Sequence, residues 1–231
     1  AAYGPEKFDT PAVAPVRALD EDTFCLELWH GPTCAFKDMA LQLTPRLLVK
    51  AIEKLDLKQE VIILVATSGD TGKAALEGFK NVKGTRIIVF YPAHGVSRVQ
   101  ELQMVTTDGD NTYVVGVEGN FDDCQSAVKE IFADQALKET MAQNGYQFSS
   151  ANSINWGRLL PQIVYYFAAY LNLVNQKAVS YGDKVDFVVP TGNFGNILAA
   201  WYAGQMGLPV GKLVCASNKN RILTDFFATG V

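Results

Sequence analysis

The apolar positions change their period repeatedly along the chain, and each change marks an expected element. After Lys58, short apolar runs of strand length alternate with stretches whose apolar residues recur every three or four positions. "EVIILVAT" (60–67) reads as a buried strand, "SGDTGKAALEGFK" (68–80) as a turn entering a helix, and "TRIIVFYP" (85–92) as the next strand. A helix over "SRVQELQMVTT" (97–107), a strand over "TYVVGVEG" (112–119) and a helix over "FDDCQSAVKEIFADQAL" (121–137) follow. Then come a short strand, "GYQFSSAN" (145–152), and a long apolar helix, "SINWGRLLPQIVYYFAAYLNLVNQ" (153–176). "KVDFVVP" (184–190), "TGNFGNILAAWYAGQMG" (191–207) and "KLVCASN" (212–218) give strand, turn with helix, and strand, and "RILTDFFATGV" (221–231) a last helix. Repeated strand–turn–helix units imply an α/β fold whose mostly parallel sheets are covered by helices on both faces. Pro45 and Pro161 interrupt helical patterns, so a kink or restart is expected at each.

One helical pattern contains a lysine that needs explaining. It lies in "LWHGPTCAFKDMALQL" (28–43). On a helix starting after Thr33, with about 100° per residue, Asp38, Gln42, Arg46, Lys50 and Glu53 form one solvated stripe. Lys37 falls opposite them, in line with Ala40, Leu41, Thr44 and Leu48. A lysine there is either a side chain snorkelling out near a helix start or a buried amine of lowered pKa, and so a usable nucleophile. The helical wheel leaves both open.

Composition narrows the classes. With 231 residues, 48% hydrophobic and 19% charged, the chain has material for a substantial core in one large or two modest domains. A net charge of −4 gives no reason to expect a nucleic-acid partner. No apolar run approaches the ~20 residues that cross a bilayer, so no membrane association is expected. The opening "AAYGPEKFDT" is neither a signal nor a transit peptide. Cys25, Cys34, Cys124 and Cys215 form no CxxC pair and read as small core residues in a reducing cytosol, which makes the expected location cytoplasmic. His30 and His94 are the only histidines and lie far apart in sequence, so neither a metal site nor a Ser-His-Asp constellation is expected.

Two glycine-rich turns carry the remaining chemistry. In "VATSGDTGKAALEGF", Ser68, Gly69, Asp70, Thr71 and Gly72 occupy the first helical turn, where free N–H groups and the dipole attract anions. Thr67 stands where a Walker loop needs glycine, so this is not that motif. "VVPTGNFGNILAAW" repeats the arrangement, with Gly192 and Gly195 flanking Asn193 and Phe194. Its spacing is not that of a dinucleotide fingerprint. Each turn alone also reads as a well-capped strand–helix junction. Two such turns together imply a ligand with two anionic groups, or two anionic ligands side by side. A buried amine with a glycine cup suits an aldehyde cofactor that carries a phosphate, pyridoxal phosphate.

Four segments, "HGPTCAFKDMALQ", "TSGDTGKAALEGF", "SSANSINWGRLLPQIVYYF" and "PTGNFGNI", stand in an order that resembles the threonine synthases, pyridoxal-phosphate enzymes of the tryptophan-synthase β-like fold, also called fold type II. The resemblance runs over nearly the whole chain. It implies conversion of O-phospho-L-homoserine and water to L-threonine and phosphate. Lys37 would be the Schiff-base lysine and proton shuttle, and Gly192, Asn193, Phe194, Gly195 and Asn196 the cofactor phosphate cup. Thr33, Ser68, Gly69, Asp70 and Thr71 would bind substrate. "NSINWGR" (152–158) would line the same cavity, with Asn155 or Asn152 near the cofactor ring hydroxyl and Arg158 near the substrate phosphate.

The resemblance also implies a division of the chain, with 1–58 and 152–231 in a large cofactor domain and 59–151 in a smaller one. A complete threonine synthase is much longer, so the chain is expected to be truncated at both ends, and activity of these residues alone is not expected. The partner of the pyridine nitrogen would lie beyond the chain. Pro45 stands where the family more often has glycine. Two rival readings carry different chemistry: a serine or threonine dehydratase-like β-eliminase of the same fold, and a non-catalytic anion- or nucleotide-binding module in which Lys37 is incidental.

Overall fold

The computed structural model describes residues 1–153 and 155–230. The expected lining segment 152–158 therefore includes one position, Ile154, outside the described residues, and the last helix another, Val231. The elements run β1 Val16–Ala18, β2 Phe24–Leu26, α1 Asp38–Leu41, α2 Thr44–Lys54, β3 Glu60–Ala66, α3 Asp70–Phe79, β4 Thr85–Pro92 and α4 Arg98–Val105. They continue with β5 Thr112–Val117, α5 Phe121–Ala133, α6 Gln135–Gln143, β6 Tyr146–Ser150 and α7 Trp156–Asn175. The chain ends with β7 Val185–Pro190, α8 Gly195–Gln205, β8 Val210–Ala216 and α9 Ile222–Thr229. It splits into two compact units, Ala1–Pro15 with Glu27–Arg158, and Val16–Leu26 with Leu159–Val231.

The first unit is built on a parallel sheet of order β5-β4-β3-β6. A strand covered on both faces has no solvent side to alternate with, which is why β3 reads as an unbroken apolar run. Ile63 and Val65 join Ala75, Leu76 and Phe79 of α3 in one buried cluster. Ile62 and Leu64 of the same strand join Cys124 and Val128 of α5 in another. Leu41, Leu48 and Ile52 belong to the first cluster. That packing puts 27–58 in the same compact unit as the sheet, whereas the sequence-based division groups 1–58 with 152–231. At the unit's N-terminal segment, His30 Nδ1 lies 2.6 Å from Asp9 Oδ1 and Nε2 lies 2.8 Å from Glu27 Oε2.

The second unit carries the parallel pair β7–β8 and the antiparallel hairpin β1–β2. The hairpin contributes Val16, with Phe24 and Leu26, to a cluster with Ala169 and Leu173 of α7.

Several expectations change. The helix expected from after Thr33 through Glu53 breaks between α1 and α2, with Pro45 in the first turn of α2, where its missing N–H has no helical partner to lose. Asp38 and Gln42, expected in solvent, are 0% and 4% exposed; only Arg46, Lys50 and Glu53 of that stripe face water. The helix expected over 121–137 is two helices. Asp134 leaves the first in an extended conformation and caps the second by accepting from Leu137 N at 2.9 Å. α7 passes through Pro161 without restarting. Proline there deprives the Gly157 carbonyl of its donor four residues on, and the Thr44 hydroxyl donates to it instead at 2.7 Å. Of the four cysteines only Cys124 is buried; Cys25 and Cys215 are half-buried, and Cys34 is exposed with a left-handed φ of 55°.

Candidate active site in two parts

Lys37 immediately precedes α1, at φ −63° and ψ −23°. Its side chain is 22% exposed, and Nζ lies 3.9 Å from Asp70 Oδ2. The ammonium sits 5.8 Å from the centroid of the Phe36 ring. Burial lowers the Lys37 pKa; Asp70 opposes that, and the positive charges of Arg158 and Lys73 add to it. The amine is thus half-buried and pushed toward its neutral form, as the second of the two alternatives requires.

Asp70 is held in turn. Gln100 Nε2 donates to Asp70 Oδ1 at 2.8 Å, and Gln100 Oε1 accepts from Ser97 N at 3.2 Å in a capping box that starts α4. Gly69 has φ 140°, and a Cβ there would come within 2.5 Å of the Gln100 side chain, so only glycine fits this turn. The buried hydroxyl of Thr67 accepts from Gly69 N at 3.0 Å and Gly72 N at 2.9 Å. Ser68 is exposed, and Asp70 and Thr71 are half-buried at the opening of α3. The N–H groups at a helix opening have no helical acceptors, and the dipole there favours negative charge. Thr67 and Gln100 went unread as site residues. The Ser97-x-x-Gln100 spacing was the available signal for the second.

Arg158 is 4% exposed, and its Nη1 donates to Ala151 O at 2.7 Å. Burial pushes its pKa down to about 10. Asn155 donates to Ser150 O at 2.6 Å and accepts from Gly157 N at 2.8 Å, fastening the end of β6 to the start of α7. Asn152 donates to Ala66 O at 3.3 Å and accepts from Ser150 Oγ at 3.1 Å. Both asparagine amides thus brace the turn that presents Arg158. Thr33 is buried, with its N–H and hydroxyl bonded to Asp38 at 2.8 and 2.7 Å. Lys73, unread in the sequence, is 8% exposed and donates to Thr33 O at 2.7 Å.

The second unit holds the glycine cup. Thr191 N donates to Ala216 O at 2.9 Å, tying the end of β7 to β8, and Phe194 N donates to Thr191 O at 2.9 Å. The chain then turns through Gly192 at φ 46° and Phe194 at φ 63° into α8. Gly192, Asn193 and Phe194 are exposed, and Gly195 and Asn196 half-buried. Asn196 Oδ1 accepts from the hydroxyls of both Tyr165 and Tyr166, the latter at 2.7 Å. Burial raises both phenols above their ordinary pKa, so they remain donors. A Cβ on Gly195 would meet nothing within 4 Å, and its φ is not left-handed. Neither crowding nor backbone strain explains a glycine at this position. The open backbone leaves room for a phosphate group beside the start of α8. Among the described residues, no group of three or more His, Cys, Asp or Glu could hold a metal ion, and no helix is long and apolar enough to cross a membrane.

The family model described as "Pyridoxal-phosphate dependent enzyme" matches residues 8–231. The chain therefore belongs to the pyridoxal-phosphate dependent enzyme family, whose cofactor is pyridoxal phosphate. Within that family it is similar to "Threonine synthase-like 1" of Homo sapiens, at 51% identity over 99% of this chain and 31% of that protein. It is 48% identical to the threonine synthase of Pseudomonas aeruginosa, over 96% of this chain and 45% of that one. Among solved structures, the pyridoxal-phosphate-bound threonine synthase from Brucella melitensis matches with a TM-score of 0.86 and 40% identity, covering 99% of this chain and 46% of that one. The chain thus spans less than half the length of each of these proteins.

Proposed function

We propose that the complete protein is a threonine synthase, converting O-phospho-L-homoserine and water to L-threonine and phosphate. The observation that carries this reading is a half-buried amine beside Asp70, under the charge of Arg158, in a chain resembling threonine synthases at 40–48% identity over nearly its whole length. Pyridoxal phosphate, when bound, supplies a ring that takes up the charge left at the substrate's Cα. Lys37 would hold that cofactor through its aldehyde carbon, and afterwards carry protons to and from the substrate carbons, a task its lowered pKa suits.

Gly192, Asn193, Phe194, Gly195 and Asn196 would hold the cofactor phosphate, with Asn196 oriented by the two tyrosines. Thr33, Ser68, Gly69, Asp70 and Thr71 would form the substrate side, the α3 amides receiving an anion. Arg158 would meet the substrate phosphate, and Asn152 and Asn155 would act by bracing its turn. We extend the proposal to the cytoplasm, a compartment that four free cysteines suit.

Two measurements test the reading. With the full-length protein, pyridoxal phosphate and phosphohomoserine, threonine and phosphate should form in equal amounts; 2-oxobutanoate as the main product would assign a deaminating β-eliminase instead. Gly195→Ala tests the cup. An alanine in the first helical turn should leave stability unchanged or raise it by up to about 1 kcal/mol. Its methyl group would occupy the open cradle, so affinity for pyridoxal phosphate should fall by about tenfold to a hundredfold. Unchanged affinity in a fluorescence titration would remove the cup assignment.

A further inference from the structure

We infer that Lys73 is a positioning residue for Lys37, fastening the loop that leads into Lys37 to the first turn of α3. This rests on the reading above only in taking Lys37 as the amine that holds the cofactor. The geometry is a bridged ion pair. The Asp38 carboxylate takes the N–H and hydroxyl of Thr33 at 2.8 and 2.7 Å, and the Lys73 ammonium takes the Thr33 carbonyl at 2.7 Å. Asp38, Thr33 and Lys73 are 0%, 6% and 8% exposed. Thr33 is thus gripped at three atoms between two opposite charges that lie away from bulk water, and removing one charge leaves the other uncompensated.

The path of the loop confirms how tight this grip is: a Cβ on Gly31 would come within 2.6 Å of the Asp38 side chain. Lys37 precedes Asp38 directly, and Asp70, three residues before Lys73, lies 3.9 Å from Lys37 Nζ. One helix therefore supplies both the anchor of the loop and the acid facing the amine. The charged groups acting on Lys37 are Asp70 and Lys73 from α3 and Arg158 from α7, with the Phe36 ring beside them. Lys73 works in two ways: its hydrogen bond fixes the loop, and its charge opposes protonation of Lys37.

The test compares the full chain with its Lys73→Gln and Lys73→Arg variants in the absence of cofactor. Lys37 is acetylated with a trace of acetic anhydride across a pH series, and the yield on its peptide is read by mass spectrometry. Only the neutral amine reacts, so the midpoint of the profile reports Lys37 itself. Lys73→Gln replaces the ammonium with a shorter, neutral amide, which weakens the hold on Thr33 O and removes the charge, and should raise the midpoint above that of the wild type. Lys73→Arg keeps donor and charge and should restore the wild-type midpoint.

A folded Lys73→Gln chain with the wild-type midpoint overturns the inference, because a purely structural lysine would change stability and not this profile. Should that variant fail to fold, Lys73→Met in an Asp38→Asn background removes both buried charges together and is read the same way. Borohydride trapping of pyridoxal phosphate on wild-type Lys37 is run alongside. Its failure would remove the cofactor role of Lys37, while an unshifted midpoint with trapping intact would remove only the role of Lys73.

Discussion

In the full-length protein, if the proposed reaction holds, Lys37→Ala is expected to abolish borohydride-stable attachment of pyridoxal phosphate and to lower turnover of phosphohomoserine by about a thousandfold or more. The wild-type chain, mixed with cofactor and reduced, should yield a phosphopyridoxyl mass increment on the peptide containing Lys37, and the variant none. Stability should not fall with activity. Among the described residues Lys37 donates no hydrogen bond; Asp70 stands 3.9 Å away, and burial together with two neighbouring cations disfavours its charge. Removing it relieves those penalties, so the melting temperature should hold or rise slightly. Lys37→Arg separates the two properties, since a guanidinium keeps the charge and cannot take the lysine's place on the aldehyde. Equal adduct on another lysine in Lys37→Ala, or retained turnover, would remove Lys37 from the chemistry.

What the sequence disclosed followed from burial that is simple along the chain. β3 and β4 are covered on both faces or alternate cleanly, so their apolar runs state their own bounds to within a residue. Lys37 was found through a helical wheel although the helix breaks five residues later, because its place relative to Ala40 and Leu41 depends on one turn only. The same wheel misplaced Asp38 and Gln42. It assumed an unbroken helix with water along one side, whereas the loop from Gly31 to Thr33 folds back over that side and needs the carboxylate as its acceptor.

Lys73 was missed for a related reason. A single charge in a helical first turn reads as solvated, and its burial arises only when the 31–38 loop, distant in sequence, closes over α3. The hairpin β1–β2 gave no periodic signal because each strand has three residues and the connection between them is mostly acidic. Local patterns reveal elements and their faces, but not which loop will cover a face.

The second large effect is expected at Gly78→Ala, where helix propensity and packing predict opposite signs. In an exposed helix interior this change stabilises by up to about 1 kcal/mol. At Gly78, however, an added Cβ would lie 2.1 Å from the backbone oxygen and 3.0 Å from the carbonyl carbon of Leu41. A backbone carbonyl cannot rotate away, so α1 and α3 must separate around a residue that is 0% exposed and packed in the cluster on β3. Overpacking of this kind costs about 1–3 kcal/mol, and the net loss should show as a lower denaturant midpoint at unchanged slope.

Gly204→Ala is the matched control. It also sits inside a helix, but its Cβ would reach Val210 only at 3.5 Å, ordinary contact, so the propensity gain should survive there. The site should register the difference as well. Leu41 ends the short helix that begins immediately after Lys37, so displacing its carbonyl displaces the amine from Asp70 and should reduce the trapped cofactor on Lys37 in Gly78→Ala but not in Gly204→Ala. A Gly78→Ala chain as stable as wild type would mean that α1 does not press against α3, and that the close approach holding Lys37 over the opening of α3 is absent in solution.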